Sequence, residues 1–308
     1  MRIINDLTFT STDFSSPVVT IGSYDGLHLG HQAIIKRTIE RANNEGGDAV
    51  VLTFEPHPVK FLHPELQVPL ITPKQKKMIL LERFGIDCTI NLPFTTELAH
   101  LSAEKFIQEI VQDRIAPRWV VVGFNFTFGK GRTGTAADLK KMGQRLGFEV
   151  EIVPPFTVGD HVVSSTRIRE LIMEGNVAEA NHMLGRKFFL LGTVIHGHAR
   201  GKGLGFPTAN LEITSDLYPK KGVYAATIIM GEETYSGVVN IGTNPTFGDE
   251  EFAVEVFLFD YQGDLYDKEL QVALVDRLRD ERTFPSPDAL VRQIEQDIHK
   301  AQEILRET

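Results

Sequence analysis

Short apolar runs alternate with helical patterns along the first half of the chain. Five runs are strand-like, and the first of them has the apolar character of a buried strand: 17–22, 48–54, 88–92, 117–124 and 148–153. Apolar residues then recur at helical spacing between residues 34 and 42, and further helical patterns occupy 73–84 and 135–146. Strands that alternate with helices in this way predict an α/β domain built on a parallel sheet.

The pattern changes after residue 186. Strand-like runs follow one another with turn residues between them: FFLLGTVIHG, GVYAATIIM, TYSGVVNIG, FAVEVFLFDY and LQVALVDRLR. Because no helical pattern separates them, these runs predict an antiparallel sheet or a small barrel. Ser286 and Pro287 suit the N-cap and first turn of a final helix. We place the domain boundary after two short predicted helices near 166–184, which gives domains 1–185 and 186–308.

Composition and charge narrow the class of protein. The 308 residues include 32 basic and 41 acidic side chains, and the formal net charge of −9 argues against a nucleic-acid partner held by a broad basic face. The N-terminus has no apolar signal core, and no stretch reaches the ~18 apolar residues that a membrane span needs. Cys88 is the single cysteine, and its apolar surroundings favour a small buried residue over a reactive thiol. We therefore expect a cytoplasmic protein without a membrane partner.

The stretch GSYDGLHLGHQ, at 22–32, joins the first predicted strand to the first predicted helix. His28 and His31 are three residues apart, so they share a face at the helix start. Backbone amides there lack partners and the helix dipole favours an anion, and Gly22 and Gly30 are candidates for close approach of a phosphate. The pattern favours a phosphate cradle over a structural turn. A metal site is the weakest interpretation, because HxxH has no third ligand nearby.

Two other loops follow predicted strands, where parallel sheets bind their ligands. VLTFEPHPVKF carries His57 and Lys60, and a proline-stiffened loop explains it equally well. VVGFNFTFGKGRTG carries Asn125, Lys130 and Arg132, which are candidates for nucleotide contacts. Its GKGRTG matches the dinucleotide fingerprint GxGxxG, but it lies too far beyond its strand and too deep in the domain for that role.

The stretch VSSTRIRELI lies at a predicted strand-to-helix junction. One hydroxyl, from Ser164 or Ser165, is enough to cap the helix. The further presence of Thr166, Arg167 and Arg169 favours a site that binds a leaving phosphate over a simple cap.

In the second domain, HGHARGKGLGFPTANL combines a glycine-rich loop with basic residues. Gly197 and Lys202 are candidates for ATP phosphate binding, although Gly203 stands where a Walker A loop requires Ser or Thr. Thr208 and Asn210 alternate along an extended segment, so their oxygens face one side and suit a hard cation such as Mg²⁺ with nucleotide phosphates.

Glu255 lies in FAVEVFLFDY, on the face opposite Val254 and Val256. If that face is the interior, the carboxylate needs a partner or a role as general base. A surface carboxylate is the alternative.

Together these motifs resemble those of the bacterial bifunctional riboflavin kinase/FMN adenylyltransferases, the FAD synthetases. GSYDGLHLGH is similar to that family's GxFDGxHxGH, and VSSTRIR to its ISSTxxR. GFPTANL, NIGTNPTFG and VEVFLFDYQGDLY are similar to its kinase signatures. The likeness covers essentially the whole chain. HxGH alone is shared by a wide nucleotidyltransferase superfamily, whereas its combination with PTAN is specific.

The resemblance implies a Rossmann-like nucleotidyltransferase domain, followed by a six-stranded antiparallel riboflavin kinase barrel with a terminal helix. In the barrel, riboflavin's 5′-hydroxyl would attack the γ-phosphate of ATP, with Glu255 as base and with Thr208 and Asn210 holding Mg²⁺ and phosphates. In the first domain, FMN would attack the α-phosphate of a second ATP, giving FAD and pyrophosphate.

The resemblance also implies roles for the loops of the first domain. His28 and His31 would stabilise the transition state at the α-phosphate. The residues implied to hold pyrophosphate are Ser164, Ser165, Thr166 and Arg169, and those implied to line the nucleotide and flavin site are His57, Asn125 and Arg132.

Ser23 and Tyr24 depart from the Asn-Phe that is common in the family, and Phe257 stands where His is common. None of these changes removes a residue with an assigned chemical role. Two other functions compete with the bifunctional enzyme. One is a kinase whose first domain adenylylates another phosphorylated acceptor, such as a nicotinamide or pantetheine nucleotide. The other is a non-catalytic flavin carrier, against which the presence of Glu255 and both histidines argues, because binding alone needs no base.

Overall fold

The computed structural model describes residues 1–196, 205–243 and 252–307. Contacts within the chain divide it into two units, Met1–Ser164 and Ser165–Thr308. We call them the first unit and the second unit.

The first unit is built on short strands joined mostly by helices. Its strands are β1 (Arg2–Ile4), β2 (Val18–Ile21), β3 (Ala49–Glu55), β4 (Cys88–Pro93), β5 (Trp119–Gly123), β6 (Thr127–Phe128), β7 (Gly134–Thr135), β8 (Glu149–Val153), β9 (Thr157–Val158) and β10 (His161–Val162). Six of them form a sheet in the order β1-β4-β3-β2-β5-β8, and every pairing in it is parallel. The chain runs from β2 outward through β3 to β4 and then returns to place β5 on the other side of β2. Ligands of α/β proteins bind at such a reversal of strand order.

Helices cover both faces of this sheet. They are α1 (Leu29–Glu45), α2 (Pro58–Leu62), α3 (Lys74–Phe84), α4 (Thr96–His100), α5 (Ala103–Lys105), α6 (Asp113–Ile115) and α7 (Ala136–Leu146), with a π-helical stretch, Phe106–Gln112, between α5 and α6. On one face Leu52 belongs to the same apolar cluster as Leu139 of α7, and on the other face Val51 belongs to the same cluster as Leu81 of α3. Because both of their faces are buried, the four inner strands β2, β3, β4 and β5 are almost continuously apolar in sequence.

The second unit begins with two helices, continues with a barrel and ends with a long helix. Its elements are α8 (Ser165–Glu174), α9 (Val177–Leu184), β11 (Phe188–Ile195), β12 (Ala209–Ile213), β13 (Gly222–Met230), β14 (Glu233–Thr243), β15 (Phe252–Leu258), β16 (Glu269–Arg279) and α10 (Pro287–Arg306). The barrel is closed in the order β11-β12-β15-β14-β13-β16, and its pairings are antiparallel.

The terminal helix α10 packs against the barrel. Ser286 caps it by accepting a hydrogen bond from the Ala289 amide at 3.3 Å. Asp297, which is buried, accepts hydrogen bonds from Arg279 Nε at 2.9 and 3.1 Å, so an ion pair joins α10 to β16. Ala301 is fully buried in an apolar cluster with Val223 and Ala225 of β13.

The fold class expected from the sequence is confirmed: a parallel α/β sheet precedes a six-stranded antiparallel barrel with a terminal helix. Cys88 is buried, as predicted. Strand β1 was not predicted from the sequence: it has three residues, is mostly exposed and is held by pairing with β4. Strand β12 was predicted only as an extended segment.

The two short helices predicted before the barrel are confirmed as α8 and α9. Asn181 of α9 donates a hydrogen bond to the Leu274 carbonyl at 2.9 Å and accepts one from the Phe188 amide at 2.6 Å. The division at Ser164 follows packing alone, so the domain boundary between residues 185 and 186 stays a prediction.

Candidate active sites

The three loops of the first unit that carry candidate residues leave the sheet at one edge. Strand β2 pairs in parallel with β3 on one side and with β5 on the other. The loops at 22–28, 56–57 and 124–132 follow β2, β3 and β5 respectively. We call their common location the carboxyl edge. It brings together loops that carry residues far apart in sequence, namely His28, His57, Asn125 and Arg132.

The loop that leaves β2 has an unusual backbone. Tyr24, Gly26 and Leu27 have φ values of 52°, 88° and 44°, in the left-handed region that non-glycine residues rarely adopt. Such strain persists where the surroundings over-determine it. One restraint is the buried Tyr24 hydroxyl, which hydrogen-bonds to the Thr20 hydroxyl, and Thr20 in turn donates to the Val121 carbonyl at 2.7 Å. The Tyr24 side chain is therefore held in place by hydrogen bonds that connect it to Thr20 of β2 and, through Thr20, to Val121 of β5.

His28 and His31 form a stacked pair at the start of α1. Their ring centroids are 3.6 Å apart with an interplanar angle of 17°, and the Tyr24 ring meets His31 edge-on at 5.1 Å. His28 is also the N-cap of α1, because its Nδ1 accepts a hydrogen bond from the His31 amide at 3.3 Å. In a neutral His28 the proton must then lie on Nε2, which makes that nitrogen a hydrogen-bond donor.

Both imidazoles are held neutral. Burial lowers the pKa of His28 to about 4. Burial also lowers the pKa of His31 well below its ordinary value, and the neighbouring His28 and Lys77 lower it further. His31 Nδ1 is buried and has no hydrogen-bond partner in the described part of the chain. Neutral imidazoles at a helix N-terminus can donate to the oxygens of a phosphate, which is the chemistry expected of this stretch.

The glycines of this stretch have a packing role. A Cβ at Gly22 would lie 3.1 Å from the Tyr24 ring, and a Cβ at Gly30 would lie 3.2 Å from the His28 ring. Both contacts are tighter than ordinary ones, so the missing side chains leave room for Tyr24 and His28. Phosphate binding at Gly22 and Gly30 stays a prediction.

The other candidates at the carboxyl edge are less buried. His57 is half-buried and caps α2 through its Nδ1, which accepts from the Val59 amide at 3.2 Å. Asn125 is exposed in the turn after β5. Arg132 is also exposed, and its Nε donates to the Thr127 hydroxyl at 2.8 Å.

A set of phenylalanines at the same edge was missed by sequence reasoning. Phe54 lies 5.7 Å from Phe94 and 6.3 Å from Phe106, measured between ring centroids, and Phe61 lies 5.5 Å from Phe94. The series continues to Phe126 and Phe128, which stack at 5.3 Å. We call these six residues the aromatic array. FNFTF was the signal available in the sequence, but the array is assembled from several segments that only the fold brings together.

The serines and arginines of VSSTRIR lie at the junction of β10 and α8, as predicted. Ser164 ends the first unit, and Ser165 and Thr166 begin α8. Arg167 forms ion pairs within the second unit, with Glu170 at 3.6 Å and Glu179 at 3.7 Å. The assignment of Ser164, Ser165, Thr166 and Arg169 to a pyrophosphate site stays a prediction.

In the second unit, polar residues of three neighbouring strands form one lateral row. Glu255 of β15 is the direct cross-strand partner of Asn210 on β12 and of Asn240 on β14. Direct partners have Cβ atoms only about 5 Å apart, so these side chains share a face. Asn240 was not singled out from the sequence, although NIGTNPTFG begins with it. Gly197 and Lys202 lie outside the described residues.

Glu255 lies on the outer face of the barrel. The sequence argument for a general base, which assumed that this carboxylate lies in the interior, therefore does not apply. Val254 and Val256 are buried, whereas Glu255 between them is half-buried. Phe257 shares the face of Glu255 and packs in the cluster that contains Ala301 of α10, which is outside the barrel. The Phe206 ring meets Phe257 edge-on at 5.8 Å. The carboxylate thus has an aromatic neighbour and access from outside.

The donors beside Glu255 suit a hard cation. Thr208 and Asn210 are half-buried on either side of buried Ala209, as the predicted alternation requires. A hydroxyl and an amide oxygen are ligands that Mg²⁺ takes together with substrate phosphates. No group of three or more His, Cys, Asp or Glu side chains that could hold a metal occurs among the described residues.

Among the residues that the structure describes, none of the helices has the length and hydropathy needed to cross a membrane.

Two family models match the chain. The model for FAD synthetase matches residues 10–167, and the model for riboflavin kinase matches residues 184–305.

The chain is also similar to curated proteins named bifunctional riboflavin kinase/FMN adenylyltransferase. It is 38% identical to one from Listeria monocytogenes over 91% of this chain and 90% of that protein. It is 35% identical to one from Escherichia coli over 93% of this chain and 92% of that protein.

Among solved structures, a crystal structure titled as a macrolide-efflux protein from Streptococcus pneumoniae has a TM-score of 0.88 and 34% identity. The match covers 98% of this chain and 99% of that one, so the two chains share their fold throughout.

Proposed function

The chain belongs to the family of bifunctional riboflavin kinase/FMN adenylyltransferases, and we propose that its barrel makes FMN while its parallel-sheet unit makes FAD. The riboflavin kinase match begins at residue 184, which supports a functional boundary between residues 185 and 186. The cytoplasmic location and the lack of nucleic-acid and membrane partners stay predictions.

In the kinase reaction, the 5′-hydroxyl of riboflavin attacks the γ-phosphorus of ATP, and the bond from that phosphorus to ADP breaks. Glu255 takes the hydroxyl proton as the attack proceeds. Its position on the outer face, beside Asn210 and Asn240, supports this role because the substrate can reach it. Gly197 and Lys202 are proposed to contact the ATP phosphates.

ATP-dependent enzymes of this kind use a divalent metal, and we propose Mg²⁺. Thr208 and Asn210 would hold it with the phosphates of ATP, as their oxygen donors and shared face suggest. When bound, the cation neutralises charge that develops on the transferred phosphoryl group.

In the adenylyltransferase reaction, a phosphate oxygen of FMN attacks the α-phosphorus of ATP, and pyrophosphate leaves. His28 Nε2 donates to the α-phosphate oxygens as negative charge develops there. His31, stacked on His28, stabilises the same charge. Ser164, Ser165, Thr166 and Arg169 are proposed to bind the leaving pyrophosphate. Gly22 and Gly30 are proposed to admit the phosphates to the backbone.

The aromatic array supports a flavin as the acceptor in the first unit. An isoalloxazine ring is flat and mostly apolar, and aromatic side chains bind such rings by stacking and edge contacts. Phe61 is 37% exposed and presents aromatic surface to a ligand, whereas Phe106 and Phe128 are buried behind it in the apolar core. His57, Asn125 and Arg132 supply polar contacts at the same edge. A pantetheine acceptor has no flat ring to stack on these phenylalanines.

The observation that carries the proposal is that one chain contains both a neutral histidine pair at a helix N-terminus and a carboxylate–amide row on a barrel. The test is to incubate purified protein with riboflavin, ATP and Mg²⁺ and to separate the flavins by chromatography. FMN should appear first and FAD afterwards. Product that stops at FMN would contradict the adenylyltransferase half, and no FMN from riboflavin would contradict the kinase half. Competition with nicotinamide and pantetheine nucleotides tests the acceptor.

A further inference from the structure

A lysine that the proposed mechanism does not use is buried beneath the carboxyl edge. Lys77 of α3 is 7% exposed, and it is the only lysine with a buried side chain in the described part of the chain. Its Nζ donates to the Ser23 carbonyl and to the Thr53 hydroxyl, both at 3.4 Å. Thr53 also donates to the Ser23 carbonyl at 3.4 Å, so the three groups form a closed triangle.

This triangle joins three separate elements. Ser23 lies in the strained loop that leads from β2 to His28, Thr53 lies near the end of β3, and Lys77 lies in α3. A second link comes from the segment just before α3, because buried Asp25 accepts hydrogen bonds from the Ile71 amide at 2.9 Å and the Thr72 amide at 3.2 Å. The loop is thus held on both sides of Tyr24 by the chain segment 71–77.

The ammonium of Lys77 is poorly explained by stability alone. Burial lowers the pKa of Lys77, whereas the carboxylates of Glu55 and Asp25 act to raise it and the Lys74 ammonium acts to lower it. Desolvation of a buried ammonium offsets much of what its hydrogen bonds and nearby carboxylates contribute, so a buried charge is weak evidence of a purely stabilising role. What Lys77 adds beyond packing is a hydrogen bond that fixes the position of the Ser23 carbonyl, in the loop 22–28 that leads to His28.

We infer that Lys77 is a positioning residue for adenylyl transfer, which holds the Ser23 carbonyl and thereby places the His28–His31 pair against the α-phosphate. The inference rests on the function proposed for the first unit. Lys77 acts through Ser23 and Thr53, and no contact with substrate is assigned to it. Only four residues lie between Ser23 and His28, and three of them are left-handed, so release of Ser23 shifts the histidines.

The test uses the full chain with Lys77→Met, Lys77→Arg and the matched control Lys74→Met, which removes an exposed lysine one turn earlier in α3. Lys77→Met should lower kcat for FMN adenylylation by about tenfold or more, because small displacements of catalytic groups are costly, with KM for ATP and FMN changed far less. Lys77→Arg should recover part of kcat because its guanidinium can donate to the same two oxygens. Lys74→Met should behave as the unsubstituted protein.

Riboflavin phosphorylation and unfolding of the first unit are measured on the same samples. In Lys77→Met phosphorylation should be unchanged and the first unit should remain folded, with some loss of stability because Asp25 and Glu55 lose a neighbouring positive charge. Full adenylylation by Lys77→Met would overturn the inference. So would a loss of adenylylation that parallels loss of the folded first unit and is not recovered by Lys77→Arg, because Lys77 would then be a structural residue. If the unsubstituted protein makes no FAD, the proposed function of the first unit fails instead.

Discussion

Asn210 and Glu255 are direct partners across the antiparallel pair β12–β15, although 44 residues separate them along the chain. The pairing places the amide of Asn210, the proposed cation ligand, beside the carboxylate of Glu255, the proposed base. A phosphoryl transfer needs both functions close together, one for the phosphates of ATP and one for the attacking hydroxyl.

Replacing Glu255 by glutamine should abolish riboflavin phosphorylation while riboflavin still binds. The amide has the shape of the carboxylate but cannot accept the proton, so kcat should fall by about 10²–10⁴-fold. Turnover is measured as FMN formed, and binding as the change in riboflavin fluorescence. Glu212→Gln is the control, since Glu212 is an exposed carboxylate on the neighbouring strand β12. An unchanged kcat in Glu255→Gln would remove Glu255 from the mechanism.

Removal of divalent metal should stop both reactions. Treatment with EDTA should halt the formation of FMN and of FAD, and Mg²⁺ should restore both because ATP-dependent transfers need charge neutralisation at the phosphates. Asn210→Ala should raise the Mg²⁺ concentration that half-saturates the kinase by about tenfold or more. The Mg²⁺ dependence of FAD formation from supplied FMN is the internal control. A kinase with unaltered Mg²⁺ dependence would mean that Asn210 is not a ligand.

Replacing His28 by asparagine should separate its role as the N-cap of α1 from its proposed role as a hydrogen-bond donor to the α-phosphate. Asparagine is a strong N-cap, so α1 should keep its start, whereas the Nε2 donor is lost. FAD formation should fall by about 10²–10³-fold, as when one oxyanion donor is removed, with riboflavin phosphorylation unchanged. His100→Asn, at an exposed histidine of the first unit, should have no effect on either activity. Normal FAD formation by His28→Asn would exclude His28 from catalysis.

The first unit should lose stability as the pH falls below neutral. Burial lowers the pKa of His28 from 6.5 to about 4, so the unfolded chain binds its proton first. The stability that comes from keeping this ring neutral is therefore complete above pH 6.5 and is lost as the pH falls toward 4. Between pH 7 and pH 5 the free energy of unfolding should drop by about 2 kcal/mol from His28 alone. The lowered pKa of His31 acts in the same direction.

Trp119 makes this loss measurable, because it is the single tryptophan of the chain and lies in β5 of the first unit. Urea unfolding followed by its fluorescence at pH 7 and pH 5 reports on that unit. His28→Asn should show a smaller drop, since its side chain does not titrate. An equal drop in both proteins would show that His28 is not the group responsible.

Much of the fold could be predicted from the sequence because its signals are local. The apolar runs at β2, β3, β4 and β5 mark strands buried on both faces, and Ser286-Pro287 marks the start of α10. The histidine pair could also be predicted, because residues three apart at a helix start share a face, and this depends only on local backbone geometry. The prediction that Glu255 lies on the face opposite Val254 and Val256 was likewise correct. The sequence did not show which of the two faces is the interior of the barrel.

By itself, then, the sequence determined the fold class, the order of the two units and the family, since these depend on periodicity and on residues close together in the chain. Only the tertiary structure decided which face of the barrel carries Glu255, that Asn240 joins its row, and that six phenylalanines form one array. It also decided that Lys77 lies beneath the loop of His28. Those relationships depend on strand register and on packing between distant segments, and neither is encoded in any short stretch of residues.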